Sequence, residues 1–234
     1  MSATAHLVRA LSRFRAGRNV FNPWADVDPL LDISNEAPRI RARNLTAYLD
    51  ERMRSARLLL LAEAAGYRGC HVSGLPMTSE RLLLGFGRPA IDPDAIFRGK
   101  KTRLTRPDST LGGKQGVTEP TASTVWGTLL GAGIDPRSFV LWNTFPFHPH
   151  QPGRPHSNRA PSRSELEGAH EFLPQLLALF VGDPMVVAVG RIAQRASETI
   201  GISCFPVRHP SQGGASVFRA EVLRLLRNQA AGKR

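Results

Sequence analysis

The chain has 234 residues, of which 41% are hydrophobic and 21% are charged, as is usual for a protein that folds around a sizeable core. Lys and Arg number 31 against 19 acidic residues, and this formal charge of +12 favours a polyanion such as nucleic acid as partner. No apolar run is long enough to span a membrane, and Cys70 and Cys204 are too few for a disulfide framework or an iron–sulfur site. We expect one cytoplasmic domain over residues 1–234.

The first predicted element is an amphipathic helix in the segment MSATAHLVRALSRFRAG, where Leu7, Leu11 and Phe14 fall on one side. The same Arg-rich, acid-poor composition also occurs in transit peptides, but the apolar spacing favours the helix. We expect it to belong to a helical extension of about residues 1–50.

Four short apolar runs are typical of buried parallel strands: Arg57–Ala62, Phe139–Asn143, Met185–Val189 and Ser203–Arg208. Helical patterns are predicted at Ala122–Leu130, Ser164–Phe180, Arg191–Ile200 and Ser216–Gln229. Because parallel neighbours need helical crossovers, this alternation predicts an α/β fold, a three-layer α/β/α sandwich with a central four-stranded parallel sheet. The stretch Gly85–Pro120 has no periodicity and is expected to be a functional or disordered loop.

Three chemically useful side chains follow the predicted strands. Glu63 comes after the first strand, Asn143 ends the second and His209 follows the fourth. In open parallel sheets the ligand lies beyond the carboxyl ends of the strands, so a carboxylate, a carboxamide and an imidazole are expected at one edge. The structural alternatives are that Asn143 bonds only to its own turn and that His209 only packs near a strand end.

These residues lie in motifs that resemble those of the uracil-DNA glycosylase superfamily. AEAAGYRGCHVSGLPM is similar to the GEAPG motif with its following G-x-P-F segment, Asn143 to the strand-ending asparagine, and HPSQGG to the HPS motif. The likeness covers roughly Arg57 to Leu226 and is closest to the GEAPG branches, without their iron–sulfur cysteines. It implies a monomeric DNA-repair glycosylase that flips uracil out of DNA and hydrolyses its N-glycosidic bond without a cofactor or metal.

The resemblance also implies roles. His209 would hydrogen-bond O2 of uracil as negative charge develops on the departing base, and Asn143 would pair with O4 and N3–H. Glu63 would position or activate water. The sequence departs from the family pattern with Ala64 where other branches carry an acid or amide and Ala65 where the motif has Pro, so the water-activating group stays open.

The base also needs a surface to stack on. Met77 stands where the resemblance places a Phe, and Tyr67, next to Gly66 in the pocket, or Phe145 could serve instead. Contacts to DNA are expected from a small-residue turn and from a basic run, namely Ser211, Gln212, Gly213 and Ser216 with Arg98, Lys100 and Lys101. Gln212 is the candidate minor-groove wedge.

Two other kinds of site fit the sequence less well. His148, His150 and His156 suggest a metal site, but no fourth ligand stands out and the intervening prolines indicate an extended loop. A hydrolase built on Cys70 with His71 or His209 lacks a recognisable nucleophile motif. Within the resemblance, excision of hypoxanthine or xanthine and a catalytically weak lesion-binding or DNA-binding protein remain alternatives.

Overall fold

The computed structural model describes residues 2–231 of the chain. The helices and strands in that part are α1 (Ala3–Arg13), β1 (Val20–Phe21), α2 (Ala37–Asp50), β2 (Leu58–Ala64), α3 (Cys70–Ser73), α4 (Glu80–Leu83), α5 (Pro93–Ile96), α6 (Pro120–Gly131), β3 (Phe139–Phe145), β4 (His148–Pro149), α7 (Arg163–Gly168), α8 (Phe172–Leu177), β5 (Met185–Val189), α9 (Arg191–Thr199), β6 (Phe205–Val207) and α10 (Ala215–Ala231). A 3₁₀ turn covers Gly113–Gln115.

The centre of the molecule is a four-stranded parallel sheet in the order β3–β2–β5–β6. Leu59 pairs with Val140 on one side and Val186 on the other, so the apolar runs lie in register. Continuous apolar strands form here because both faces of a parallel sheet are covered. The predicted α/β sandwich is confirmed, although β2 and β3 each extend two residues further than the sequence indicated.

Helices cover both faces of this sheet. Between β2 and β3 the chain passes through α6 and moves toward the edge of the sheet that β3 forms. Between β3 and β5 it passes through α7 and α8 and moves back across β2 toward the other edge. Since parallel crossovers are right-handed, these connections lie on opposite faces. α9 packs across β5, β2 and β3, and α10 packs on α6.

The N-terminal segment completes the core. α1 buries Leu7 and Leu11 against α2 and α8, and the Phe14 ring stacks on Phe147 at 4.5 Å between centroids. β1 pairs antiparallel with β4. The sequence does not predict this pairing, because a two-residue strand is too short to show a periodic pattern. No helix within residues 2–231 is both long and apolar enough to cross a bilayer.

The helix predicted over Ser164–Phe180 is wrong as a continuous element, because the chain breaks it into α7 and α8. Pro174 lies in the first turn of α8, where its missing N–H costs nothing. In a continuous helix its ring would clash with the carbonyl of His170.

The stretch Gly85–Pro120 is ordered around one buried carboxylate. Oε1 of Glu80 accepts the backbone N–H groups of Leu104 at 2.7 Å and Thr105 at 2.9 Å, and Oε2 accepts that of Val117 at 3.3 Å. Of the two expectations for this segment, a functional or a disordered loop, the second is wrong, because the buried Glu80 carboxylate binds three of its backbone N–H groups.

Candidate active site

A cavity of about 330 Å³ opens at the carboxyl edge of the sheet. Its volume falls within the range of small-molecule sites. Its lining comes from the ends of β2 and β3, the start of α6, the turn after β6 and the loops that carry Met77 and Asn158. It consists of Ala62, Glu63, Ala64, Ala65, Gly66, Met77, Glu119, Thr121, Asn143, Asn158, Arg159, Ala160, His209 and Ser211. The structure therefore brings together six residues that the sequence singled out: Glu63, Gly66, Met77, Asn143, His209 and Ser211.

Asn143 is held in the wall of this cavity by β3, where it pairs in register with Ala62 of β2. Its side chain is buried, and neither Oδ1 nor Nδ2 has a hydrogen-bond partner within residues 2–231. The alternative of a turn-bonding Asn is thereby removed, because its amide bonds no backbone group there. An unpaired buried polar group costs about 1–3 kcal/mol, which a ligand with one donor and one acceptor would recover.

His209 faces the same cavity from the turn after β6. Its Nδ1 accepts the backbone N–H of Ser211 at 3.1 Å and lies 2.7 Å from Oγ of the same residue. Burial, together with the charge of Arg208, lowers the pKa of His209 below its ordinary value. Gly190 makes room for this ring, since a Cβ there would lie 3.2 Å from Cβ of His209.

Glu63 is half-buried near the end of β2, where successive side chains point to opposite faces of the sheet. It lines both this cavity and a second cleft beside β6. Burial raises the pKa of its carboxyl above the ordinary value.

Glu119 is a second carboxyl in the cavity that the sequence analysis missed. It precedes Pro120 at the start of α6, and its Oε2 is buried without a partner in the described part of the chain. Burial raises the pKa of this carboxyl to about 7. Gly69 allows the approach, because a Cβ there would collide with the carboxylate. The sequence signal that could have pointed to Glu119 is the Glu-Pro pair just before the helical pattern of Ala122–Leu130.

The three stacking candidates are placed differently. Met77 is buried in the lining with φ at 45°, a backbone conformation that costs free energy and is often found at functional sites. Tyr67 lies in an adjoining cleft of about 430 Å³ that shares Glu119 and Ser211 with the cavity. Phe145 does not line the cavity, because its ring packs in the core 5.5 Å from Phe147.

The HPSQGG turn folds tightly between His209 and α10. A Cβ at Gly214 would collide with the carbonyl oxygen of His209, and Gly213 has φ at 75°. Gln212 is exposed with φ at 51°, so the turn displays its side chain beside the adjoining cleft. Ser216 is exposed on α10 and is not part of the cavity lining.

The basic run of Arg98, Lys100 and Lys101 lies near the amino ends of the strands, opposite the cavity. The backbone N–H of Arg98 donates to Glu51 at 2.6 Å, and Glu51 pairs with Arg137, two residues before β3. Asn143 lies roughly 13 Å beyond Phe139, the first residue of that strand. Lys101 also pairs with Asp94. The structure thus does not bring this run to the cavity, because residues 92–98 pack at the amino ends of the strands.

Two exposed cations that the sequence analysis did not single out lie at the cavity's own edge. Arg191 opens α9 and Arg208 precedes His209, and both line the cleft that Glu63 and His209 also line. Arg191 and Arg208 are therefore better placed than the basic run to contact phosphate groups beside the cavity.

Cys70 is buried in α3, and burial raises the pKa of its thiol, which disfavours the thiolate that a cysteine nucleophile needs. Asp28, His71 and His156 form a group that could hold a metal ion, and none of the three is part of the cavity lining.

The fold and lining define an α/β protein with a small-ligand site at the carboxyl edge of its sheet. A family model described as the Uracil DNA glycosylase superfamily matches residues 51–221, and the chain belongs to that superfamily. It is therefore a DNA glycosylase, a hydrolase whose substrate is DNA. The solved structure of wild-type SMUG2 from Pedobacter heparinus shares 12% identity and a TM-score of 0.65 with it over 99% of each chain, a likeness in fold. No curated protein matches its sequence.

Proposed function

We propose that the protein excises uracil from DNA after flipping the nucleotide into the cavity beside Asn143 and His209. The unpaired, buried amide of Asn143 carries this proposal. Uracil offers O4 as an acceptor next to N3–H as a donor, and this pair matches the donor and acceptor of a carboxamide. The base would satisfy both amide atoms at once.

The chemistry follows from the groups around that base. As the C1′–N1 bond breaks, its electron pair moves onto the base, and Nε2–H of His209 donates to O2 as negative charge builds there. The oxygen of a water molecule forms the new bond to C1′, and its proton passes to a carboxylate. We assign that carboxylate to Glu63, as the family resemblance implies, with Glu119 as the competing candidate because it lines the same cavity.

Hypoxanthine and xanthine are the second candidate substrates, because each also presents a carbonyl next to an N–H. Within residues 2–231 no partner fixes the orientation of the Asn143 amide. Discrimination among uracil, hypoxanthine and xanthine therefore depends on the shape of the remaining lining.

Single-turnover cleavage of labelled oligonucleotides, followed by alkali to break abasic sites, tests the proposal. Uracil, hypoxanthine, xanthine and thymine mispairs are compared in single and double strands. We expect scission at uracil, and relaxed discrimination between uracil and cytosine in Asn143→Asp. Faster scission at a deaminated purine would favour the second candidate, whereas tight binding without scission would identify a lesion-binding protein.

A further inference from the structure

A buried cluster of one carboxylate and three imidazoles lies outside the cavity. Oδ2 of Asp28 is 2.8 Å from Nε2 of His71 and 2.7 Å from Nε2 of His156. Nδ1 of His71 is 2.8 Å from Nδ1 of His148, whose Nε2 is 2.8 Å from the carbonyl oxygen of Ser157. Three segments that are far apart in sequence therefore meet at one point.

The hydrogen-bond donors in this cluster do not suffice for its contacts. The carbonyl of Ser157 only accepts, so His148 carries its proton on Nε2 and accepts at Nδ1. His71 then donates from its Nδ1 to Nδ1 of His148. A neutral His71 holds only this one ring proton, so its Nε2 carries a lone pair that faces the Asp28 carboxylate. Four contacts need four protons, whereas three neutral imidazoles hold three. Either a proton or a metal cation at this contact would remove the repulsion between the lone pairs of His71 Nε2 and Asp28 Oδ2.

We propose that Asp28, His71 and His156 bind one divalent transition-metal ion, with Zn²⁺ as the first candidate. One ligand atom from each residue lies within 4.8 Å of the other two, and imidazole nitrogen with carboxylate oxygen is a ligand set that zinc uses. His156 is 22% exposed, which leaves a side open for water as fourth ligand. With the ion present, the lone pair of His71 Nε2 faces a cation instead of a carboxylate.

The surroundings provide what a metal site requires beyond its ligands. Metal-binding histidines usually donate their other N–H to an acceptor, and His71 does so through His148 to the Ser157 carbonyl. Asp28 is fixed because its Oδ1 accepts the N–H groups of Leu30 and Leu31 at 2.9 and 3.1 Å.

The ion would also stabilise one rim of the cavity. Two residues after His156, the side chain of Asn158 lines the cavity and accepts the backbone N–H of Tyr67 at 3.1 Å. This role is independent of which base is excised. It departs from the expectation of no metal, because only the fold brings Asp28 and His71 next to His156.

Metal uptake by the full chain, freed of metal with a chelator, tests the proposal. Zn²⁺ is titrated against a chromophoric chelator, and Co²⁺ is followed by its visible absorption. We expect one equivalent per chain and a higher Tm with Zn²⁺. His156→Gln should weaken binding about 100-fold or more, whereas His150→Gln, a neighbouring imidazole outside the ligand set, should leave it unchanged. Circular dichroism checks that both variants fold.

Asp28→Asn gives a second, independent readout. Its amide oxygen can still accept from Leu30 and Leu31, while its NH₂ can donate to both Nε2 atoms and so supply the lacking proton. We expect this variant to bind no metal, yet to be at least as stable as metal-free wild type. A folded wild-type chain that takes up neither ion would overturn the proposal, and so would uptake that survives both His156→Gln and Asp28→Asn.

Discussion

The backbone N–H of Ser211 donates to Nδ1 of His209 across 3.1 Å. Because Nδ1 is occupied as an acceptor, a neutral His209 carries its proton on Nε2. The lowered pKa of His209 favours this neutral form at pH 7. The turn thus prepares a neutral N–H donor that lines the same cavity as Asn143.

Substituting His209 by Ala should lower the single-turnover rate of base excision by about 100- to 1000-fold, because one prepositioned donor to a developing anion is worth that much. Ser211→Ala should cost less, about tenfold, since the backbone N–H still fixes the tautomer. Quench-flow or manual single-turnover kinetics measure both. Equal rates for His209→Ala and wild type would remove His209 from the chemistry.

Replacing Asn143 by Leu should abolish excision while leaving the protein as stable as wild type or more stable. The nearly isosteric apolar side chain removes an unpaired buried amide, a gain of about 1 kcal/mol. Urea unfolding gives the change in free energy, and the oligonucleotide assay gives the activity. A loss of several kcal/mol would instead mean that Asn143 has a structural role.

The single-turnover rate should rise with pH through about 7 if Glu119 acts as a carboxylate, because its raised pKa leaves it partly protonated at neutral pH. Glu119→Gln should be slower and should lose this rise, while Glu63→Gln should keep it. If Glu119→Gln keeps the same pH profile, another group titrates.

The pH dependence of the free energy of unfolding tests the raised pKa of the Glu119 carboxyl independently. A carboxyl pKa raised in the folded state means that the fold binds its proton more tightly, so wild-type stability should fall as pH rises from about 4.5 to about 7. Glu119→Gln should remove about 1–2 kcal/mol of this loss, allowing for the partial exposure of the residue. Urea unfolding at pH 5 and pH 8 measures the difference.

DNA binding should depend on the cations beside the cavity. Arg191→Gln and Arg208→Gln should each weaken binding and reduce the slope of log Kd against log salt by about one. Arg98→Gln and Lys100→Gln remove the same charge at the opposite edge and serve as matched controls. Fluorescence anisotropy at several salt concentrations measures the slopes. The reverse pattern would return the DNA interface to the basic run.

The sequence alone determined the strands, their parallel arrangement and the edge where the site lies. Apolar runs such as Leu58–Leu61 are local signals, and the order of strands and helices restricts the topology. For this reason the sequence by itself predicts that Asn143 and His209 lie at one edge of the sheet. The same reasoning missed the break at Pro174, although the clash with the His170 carbonyl is local. It also missed the order imposed by Glu80, because that order depends on contacts with residues far along the chain.

Tertiary structure alone decided which further groups join these sites. Glu119 reaches the cavity from the end of a segment without periodicity, and Asp28 meets His71 and His156 across 43 and 128 residues of sequence. No sequence pattern shows which residues these side chains meet, because their positions follow from the packing of whole segments and not from local periodicity. Burial then changes the chemistry of these groups, as the pKa of Glu119 shows, and burial is a property of the folded chain.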